Sequence, residues 1–411
     1  MLRRGPYADL LTLPGVLRLF AIAFVARIPQ AMTGVVLTLH VVTTLDRGYG
    51  QAGLVSGAMT VGMAIGGPWR GRLVDRLGLR RAVVPSVIVA SAVWFVAPRL
   101  PYEALLVAAV IAGVYLVPAF SVTRQSLSVL VPRERQQTAF ALDSVFTELT
   151  FMVAPLVGVW VATSVSTTAA LMVVAITSVG GGSLLVWANL PTRSENAPAV
   201  DPADKGRRIV GPALLVVLLA GVAAAYVLMG TDVSLVAVLT EAGREQDLGW
   251  MIVLWCLGSV IGGLVYGTRG SSTPPLVLVA LLAAATLPAA FLSHQPWLAF
   301  AVVVAGLPCA PALSSINASL VRLVPEHRRG EVMGWSGTAA TVGNALGAPT
   351  VGAVIDNAGP GAGFLTAACV GGAVAVAGLV TLRVVHRRRA RSDERSDEPA
   401  GELAAVRTPG P

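Results

Sequence analysis

Long apolar stretches alternate with short polar ones along nearly the whole chain. Each apolar stretch is roughly 20 to 30 residues long, enough for a helix to cross a hydrocarbon core about 30 Å thick. The pattern predicts twelve spans, at about residues 16–44, 50–69, 80–98, 102–130, 137–163, 167–189, 211–239, 247–267, 274–293, 297–323, 330–355 and 361–385. A soluble helical core is the alternative, but apolar runs of this length do not recur throughout such proteins. We therefore predict an all-α polytopic membrane protein.

One polar segment divides the predicted spans into two sets of six. Residues 191–210 are rich in proline, alanine and charge and lack helical periodicity, which predicts a cytoplasmic linker. The predicted units are a first six-helix lobe over 1–190 and a second over 211–386. Residues 387–411 open with a basic cluster and are predicted to form a disordered cytoplasmic tail.

A sequence repeat relates the two halves. Residues from the fourth span recur 193 positions later in the tenth: Ala112-Gly113, Pro118-Ala119 and Leu130-Val131-Pro132 match Ala305-Gly306, Pro311-Ala312 and Leu323-Val324-Pro325. Shared apolar composition does not explain glycines and prolines that match in place. The repeat predicts a duplicated six-helix unit.

The positive charge is distributed by topology. The chain is 55% hydrophobic and 13% charged, with a formal net charge of +8. Arg47, Arg99 and Arg244 fall in alternate loops and Arg27 inside a span, whereas the other basic residues lie beside the opposite loops and the termini. This asymmetry predicts that both termini are cytoplasmic, and it accounts for the net charge without nucleic-acid binding.

The sequence predicts neither an enzyme nor a cofactor. Cys256, Cys309 and Cys369 lie in apolar segments without metal-ligand spacing, so buried free thiols and no metal site are expected. A Gly-x-x-x-x-Gly-Lys-Ser/Thr string, which would cradle a nucleotide phosphate, is absent from the sequence. Lys205 is the single lysine among 30 basic residues, which is typical of a GC-rich bacterial genome.

The segment from Gly71 to Arg81 carries the most specific motif. It reads Gly-Arg-Leu-Val-Asp-Arg-Leu-Gly-Leu-Arg-Arg and joins two spans with almost no connecting chain. The segment resembles the loop 2–3 signature of the major facilitator superfamily, G-x-L-x-D-R-x-G-R-R, with Leu79 at a frequently basic position. The candidate residues of this signature, which the resemblance places at a cytoplasmic gate, are Gly71, Asp75, Arg76, Gly78, Arg80 and Arg81.

This resemblance covers about residues 10–385 and implies two parallel-related six-helix lobes that work by alternating access. It implies that spans 2, 5, 8 and 11 meet between the lobes. Glycine pairs in three of these spans suit close packing there, and packing within a lobe is the alternative. The pairs are Gly53/Gly57, Gly62/Gly66, Gly258/Gly262 and Gly343/Gly347.

Span 5 also partly resembles the family's antiporter signature. Glu148 is followed by Ala154-Pro155-x-x-Gly158, where the family pattern has Gly-Pro. Proline removes a backbone hydrogen bond, so Pro155 is expected to bend its helix, as are Pro29 and Pro349.

Ionisable residues at membrane depth are costly, so each is a candidate functional group. Arg27 and Glu148 each lie about 11 residues into their spans and are predicted to pair. In this hypothesis Glu148 carries a proton during transport; a static ion pair is the alternative. Asp232 is a second proton or cation site, or else a solvated helix end, and Asp143 is a third candidate nearer the cytoplasm.

Two further sets of residues complete the predicted site. Arg124 is predicted to bond Asp75 as a cytoplasmic latch beneath the signature. Residues that could line a central substrate cavity are Gln30, Tyr115, Tyr226, Trp255, Asn317, Trp335 and Asn344.

The sequence thus favours a bacterial inner-membrane secondary transporter, monomeric and without cofactor, that exports a small amphipathic molecule in exchange for protons. Proton-coupled uptake of a small solute is the alternative within transport. A non-transporting membrane sensor is the alternative from a different class, but the linker and tail are short for an output domain.

Overall fold

The computed structural model describes residues 5–193, 211–244, 247–268, 273–291 and 297–396, which are helical and contain no β-strand. The helices are α1 (Pro6–Leu11), α2 (Val16–Thr43), α3 (Tyr49–Leu77), α4 (Leu79–Val96), α5 (Tyr102–Val114), α6 (Ala119–Leu130), α7 (Gln136–Ser164), α8 (Thr167–Ala188), α9 (Pro212–Glu241), α10 (Leu248–Thr268), α11 (Pro275–Thr286), α12 (Trp297–Gly306), α13 (Cys309–Leu323), α14 (Arg329–Ala358) and α15 (Pro360–Ser396). Residues 194–210 of the predicted linker and residues 397–411 of the predicted tail lie outside the described residues.

Nine helical segments in the described ranges are long and apolar enough to cross a membrane. They are Val16–Thr43, Leu79–Arg99, Tyr102–Leu130, Arg133–Ser164, Thr167–Ala188, Pro212–Glu241, Leu248–Thr268, Trp297–Leu323 and Pro360–Thr381. The apolar helical stretch Pro275–Ala290 is shorter. The remaining long helices, α3 and α14, are rich in glycine and less apolar.

The helices pack as two bundles. In the first lobe, α2 contacts α7 and α8, α3 contacts α5, and α4 contacts α8. In the second, α9 contacts α14 and α15, α10 contacts α12, and α11 contacts α15. The lobes meet where α3 packs on α14, and where α7 packs on α10 and α13.

The repeat of 193 residues is visible in the helices. The turns Arg133–Arg135 and Glu326–Arg328 are related by this offset, as are the first residues of α7 and α14. Predicted spans 4 and 10 are not continuous helices. Span 4 is interrupted at residues 115–118, and span 10 at residues 307–308. Pro118 and Pro308 lie at these breaks, where the missing proline N–H interrupts helical hydrogen bonding.

Two further expectations differ from the structure. Helix α15 continues to Ser396, ten residues past the predicted lobe end at 386. Cys256 and Cys309 are buried free thiols as predicted, but Cys369 is exposed.

Most of the predicted glycine pairs pack helices within one lobe. Gly62 and Gly66 of α3 approach backbone atoms of α5, while Gly258 of α10 approaches Val303 of α12 and Gly262 approaches Leu307 at the break in span 10. Gly343 and Gly347 of α14 face α9, whereas an added Cβ at Gly53 or Gly57 would meet nothing within 4 Å. The intralobe alternative is therefore correct for the pairs that make contact.

We expect Gly262→Ala to lower the unfolding temperature in detergent. A Cβ at Gly262 would lie 1.8 Å from the carbonyl oxygen of Leu307, so two backbones would have to separate. Overpacking of this kind costs about 1–3 kcal/mol. Gly57→Ala is the matched control and should be neutral or slightly stabilising, because alanine favours helix and the space is open. Equal unfolding temperatures for the two variants would contradict this packing.

Candidate functional site

A buried ion pair lies inside the first lobe. Arg27 Nη2 on α2 donates to Asp143 Oδ1 on α7 at 2.6 Å, and the two side chains are 0% and 1% exposed. Arg27 Nη1 also donates to Thr147 Oγ1 at 3.1 Å, and the guanidinium carbon lies 4.5 Å from the Phe120 ring centre. Arg124 approaches Asp143 Oδ2 from the other side at 3.5 Å. The cluster therefore holds two arginines around one carboxylate.

The predicted pair between Arg27 and Glu148 is wrong. Asp143 and Thr147 are one helical turn apart, so both face α2. Glu148 follows Thr147 by one residue, which turns its side chain about 100° away from that face. The positions of Arg27 and Glu148 along their spans predicted a similar depth in the membrane, but they did not predict which face of its helix each charge occupies.

Glu148 instead contacts the second lobe. Its Oε1 accepts a hydrogen bond from Ser259 Oγ on α10 at 3.0 Å and from Cys309 Sγ on α13 at 3.3 Å. The Cys256 thiol lies 3.8 Å from the other carboxylate oxygen. The carboxylate of one lobe is thus held by side chains of the other.

Asp232 lies on the second lobe within electrostatic range of Glu148. Its side chain is exposed, and it lies in the second half of the long helix α9. Neither acid has an ion-pair partner among the described residues. Two acids from opposite lobes therefore make this region electronegative.

Asp75 caps a helix of the opposite lobe. Its Oδ1 accepts from the backbone N–H of Gly330 and its Oδ2 from that of Glu331, both at 2.9 Å. These N–H groups belong to the first turn of α14, which has no intrahelical acceptor for them and carries partial positive charge. The signature aspartate thereby joins α3 to α14.

The predicted latch between Asp75 and Arg124 is also wrong. Gln125 Nε2 donates to Asp75 Oδ1 at 3.1 Å, while the neighbouring Arg124 is directed to Asp143. The sequence predicted a charged partner for Asp75, but its carboxylate accepts hydrogen bonds from a neutral amide and two backbone N–H groups.

Glycines of α3 and α14 bring the two lobes together at backbone distance; of these, the sequence singled out Gly71, but not as a packing residue. Gly67 and Gly71 of α3 lie against Gly334 and Gly330 of α14, and a Cβ at Gly71 would lie 2.0 Å from the Gly330 carbonyl oxygen. The four-residue spacing in both helices was the available signal. Beside them, Arg72 Nε donates to Glu331 Oε1 at 2.6 Å, and Thr338 Oγ1 donates to the Ala64 carbonyl at 2.9 Å.

A second contact joins the lobes through α7 and α10. The side chains of Gln137 and Thr138 donate to the backbone carbonyls of Tyr266 and Gly267 at 3.1 and 2.6 Å. Tyr7 of the short helix α1 donates to the Leu264 carbonyl at 2.6 Å. Burial raises the pKa of Tyr7 to about 12, so its hydroxyl remains a donor at neutral pH.

Family comparison decides what this two-lobed arrangement is. The family model described as Major Facilitator Superfamily matches residues 19–240 and again residues 217–410. The chain belongs to the Major Facilitator Superfamily. Members of this superfamily are membrane transporters rather than enzymes, which agrees with the class predicted from the sequence.

Similar proteins include superfamily transporters of several kinds. The chain is 29% identical over 130 residues to the multidrug efflux pump Tap of Mycolicibacterium fortuitum, and this match spans 31% of the chain and 32% of Tap. Its fold resembles the human organic anion transporter MFSD10 (TM-score 0.70, 15% identity, 88% of this chain and 99% of that one). It also resembles FucP in the outward conformation (TM-score 0.67, 16% identity, 89% and 98%). A bacterial homologue of ferroportin in an outward-facing state has a TM-score of 0.70 at 16% identity (90% and 98%).

Other signature residues of this superfamily member shape the turn between α3 and α4. Gly78 has φ of +79°, a conformation that favours glycine, and it is the single residue between the two helices. Arg80 donates to the Val186 and Trp187 carbonyls near the end of α8 at 3.0 and 3.4 Å. Arg76 and Arg81 are exposed.

The predicted cavity residues do not form one cluster in the described contacts. Tyr115 packs edge-on against Trp69, and the Tyr226 hydroxyl is 2.9 Å from Thr350 Oγ1. Buried Trp255 belongs to the hydrophobic core, and buried Asn317 has a side-chain oxygen without a hydrogen-bond partner. The other three are Gln30 beside a small first-lobe cavity, part-buried Trp335 and exposed Asn344. A substrate contact stays a prediction for all seven.

Two further predictions concern helix bends and metal binding. Pro29, Pro155 and Pro349 all lie inside helices, and the bends remain predictions. Among the described residues, no group of three or more His, Cys, Asp or Glu side chains could hold a metal ion.

We expect Asp143→Ala to destabilise the protein strongly, because it leaves Arg27 buried without a counter-ion. Removing one partner of a buried pair costs about 3–5 kcal/mol. The readout is the thermal unfolding of purified protein, followed by tryptophan fluorescence.

The double variant Arg27→Met/Asp143→Leu is the control and should recover part of the stability, since it removes both fully buried charges and leaves only Arg124, which is 16% exposed, without its partner. If Asp143→Ala were as stable as wild type, the pair would not have the structural role assigned to it.

We expect Asp75→Ala to open the contact between α3 and α14. Loss of a helix-capping carboxylate costs about 0.5–2 kcal/mol, or roughly a two- to thirtyfold change in the ratio of closed to open molecules. Spin labels on Leu77→Cys and Leu323→Cys, with Cys369→Ser, would report the distance between the lobes. Both labelled positions are exposed, and the other two cysteines are buried.

Arg81→Gln is the matched control for Asp75→Ala. It removes an exposed charge of the same segment and should leave the distance distribution unchanged. A longer-distance population in the control but not in Asp75→Ala would contradict the assignment.

Proposed function

We propose that the protein is a proton-coupled exporter of small amphipathic, drug-like molecules that works by alternating access. The observation that carries the proposal is the contact of Glu148 with Ser259 and Cys309 across the lobe boundary. An ionisable group at this boundary links protonation to the relative position of the lobes. A charged carboxylate accepts these hydrogen bonds, and protonation neutralises it and weakens them.

The contacts between the lobes favour a state closed at the end of the bundle that carries residues 71–81, which we name the signature face. Asp75 and the glycines of α3 and α14 hold this end together, as do Gln137 and Thr138 on α7. Exposure of Asp232 and Asn344 supports a central cavity that opens towards the opposite end. Alternating access then requires these contacts to separate while the other end closes.

The charges of the boundary region favour cationic substrates. Glu148 and Asp232 have no ion-pair partner among the described residues, whereas Arg27 and Arg124 are directed to Asp143. We propose that Asp232 attracts the cationic group of the substrate and that Glu148 carries the proton. Partial similarity to the efflux pump Tap supports export as the direction.

The proposed topology has twelve membrane spans with both termini in the bacterial cytoplasm. It adds α3, α11 and α14 to the nine segments that meet the length and apolarity expected of a span. Helices α3 and α14 are less apolar because glycines replace larger apolar side chains where the two helices meet. That face packs against the other lobe and not against lipid, so it needs small residues more than apolar ones. The proposed protein is a monomer in the inner membrane, with residues 191–210 linking the lobes in the cytoplasm.

Transport in reconstituted vesicles tests the proposal. We expect a pH gradient to drive a panel of lipophilic cations in wild type, and Glu148→Gln to abolish this gradient dependence while leaving the protein folded. Asp232→Asn should weaken transport of cations more than transport of neutral amphipathic compounds. Glu103→Gln, at the far end of α5, is the matched control and should behave as wild type.

Full gradient-driven transport by Glu148→Gln would exclude this residue as the proton carrier. If folded wild-type protein moved none of the cations, export of cationic compounds would be rejected. Polar solutes would then test the uptake alternative, and a protein that moved neither class would support the sensor.

A further inference from the structure

A basic cavity lies between the lobes at the signature face. Its volume is about 620 Å³, which is within the range of small-molecule sites. The first lobe contributes Arg133 and Gln136, the start of the predicted linker contributes Arg193, and the second lobe contributes Arg322 and Arg329. We name this set of five residues the basic cleft.

The charge of the basic cleft is strongly unbalanced. Four arginines line it, and the one acid among the described lining residues is Glu326, which lies 3.7 Å from Arg329. Arg133 and Arg193 are exposed and have no salt bridge to another described residue. The positive charges of Arg133 and Arg329 repel each other, and a polyvalent anion between them would remove that repulsion.

Buried side chains hold part of the basic cleft in place. The Arg329 side chain is 9% exposed, and its Nη1 donates to Ser128 Oγ of the first lobe at 3.0 Å, while its buried Nε has no hydrogen-bond partner. Gln136 is buried and donates to the Ser128 carbonyl at 3.0 Å. A guanidinium held in place at the cavity wall is well suited to a phosphate oxygen, which accepts charge-assisted hydrogen bonds from arginine.

We propose that the basic cleft binds a polyanion that bears phosphate groups, and that the bound anion holds the lobes together at the signature face. Both lobes supply arginines, so the complete site exists when this face is closed. Binding to one state stabilises that state by linkage, so the ligand would favour the closed signature face and slow its opening. The phosphate groups could belong to a soluble polyphosphate or to a lipid headgroup.

Calorimetric titration of the purified full-length protein with inorganic tripolyphosphate, at about 0.15 M salt, tests binding. We expect saturable binding in wild type and an affinity lower by about tenfold or more in Arg133→Ala and in Arg193→Ala, since each loses charge-assisted hydrogen bonds. Both side chains are exposed, so these variants should fold. Arg135→Ala is the matched control, because it removes a charge from the same turn as Arg133 without touching the cavity.

Spin labels at positions 77 and 323 test the conformational effect. Tripolyphosphate should increase the short-distance population in wild type and in Arg135→Ala but not in Arg133→Ala. A lipid arm compares nanodiscs of phosphatidylcholine alone with nanodiscs that contain a phosphoinositide. If the short-distance population rises in phosphoinositide nanodiscs but does not respond to tripolyphosphate, the phosphate groups belong to a lipid. If tripolyphosphate raises it in both kinds of nanodisc, they belong to a soluble anion.

Absence of saturable binding of either probe would overturn the proposal. Binding that Arg133→Ala and Arg135→Ala weaken equally would also overturn it, because the attraction would then come from overall charge. These readouts need no transport, so they stand or fall independently of proton-coupled export.

Discussion

Contact between two helices at backbone distance is the constraint on which the closed arrangement of the lobes depends. Gly67 and Gly71 of α3 lie directly against Gly334 and Gly330 of α14, where a side chain at Gly71 would collide with a carbonyl oxygen. This approach brings the first turn of α14 within reach of Asp75, which accepts hydrogen bonds from two of its N–H groups. A carboxylate at a helix N-terminus is favourable, and the contact adds the ion pair of Arg72 with Glu331. The glycines and the carboxylate therefore act together.

The charges around Asp143 and the carboxylate of Glu148 differ in what they contact. Arg27, Arg124 and Asp143 satisfy one another inside the first lobe, so they can move with that lobe as a unit. Glu148 crosses the boundary and contacts the second lobe through neutral donors. Since neutral donors bind a carboxylate less strongly than an arginine does, this contact is better suited to being broken and remade during a transport cycle.

Polar groups are concentrated at one end of the lobe boundary. Asp75, the pair of Arg72 with Glu331, Tyr7 and the basic cleft all act at or near the signature face. Each joins residues from both lobes, so each would be disrupted when that face opens. Opening therefore has to replace several separate polar contacts, and a ligand that reinforces one of them would shift the balance between the two states.

The sequence by itself determined the class of the protein and its duplicated plan. Apolar runs of membrane length, the glycine and proline repeat and the segment from Gly71 to Arg81 are local patterns, and each predicts structure without knowledge of distant contacts. The tertiary structure decided which charges meet. Arg27 and Glu148 lie at similar depth, but Asp143 and Thr147 face α2 and Glu148 faces the second lobe, because one residue along a helix changes direction by about 100°. The partner of Asp75 could not be predicted from charge either, since it consists largely of backbone N–H groups, which every residue but proline carries and which only the packing of α3 on α14 brings into reach.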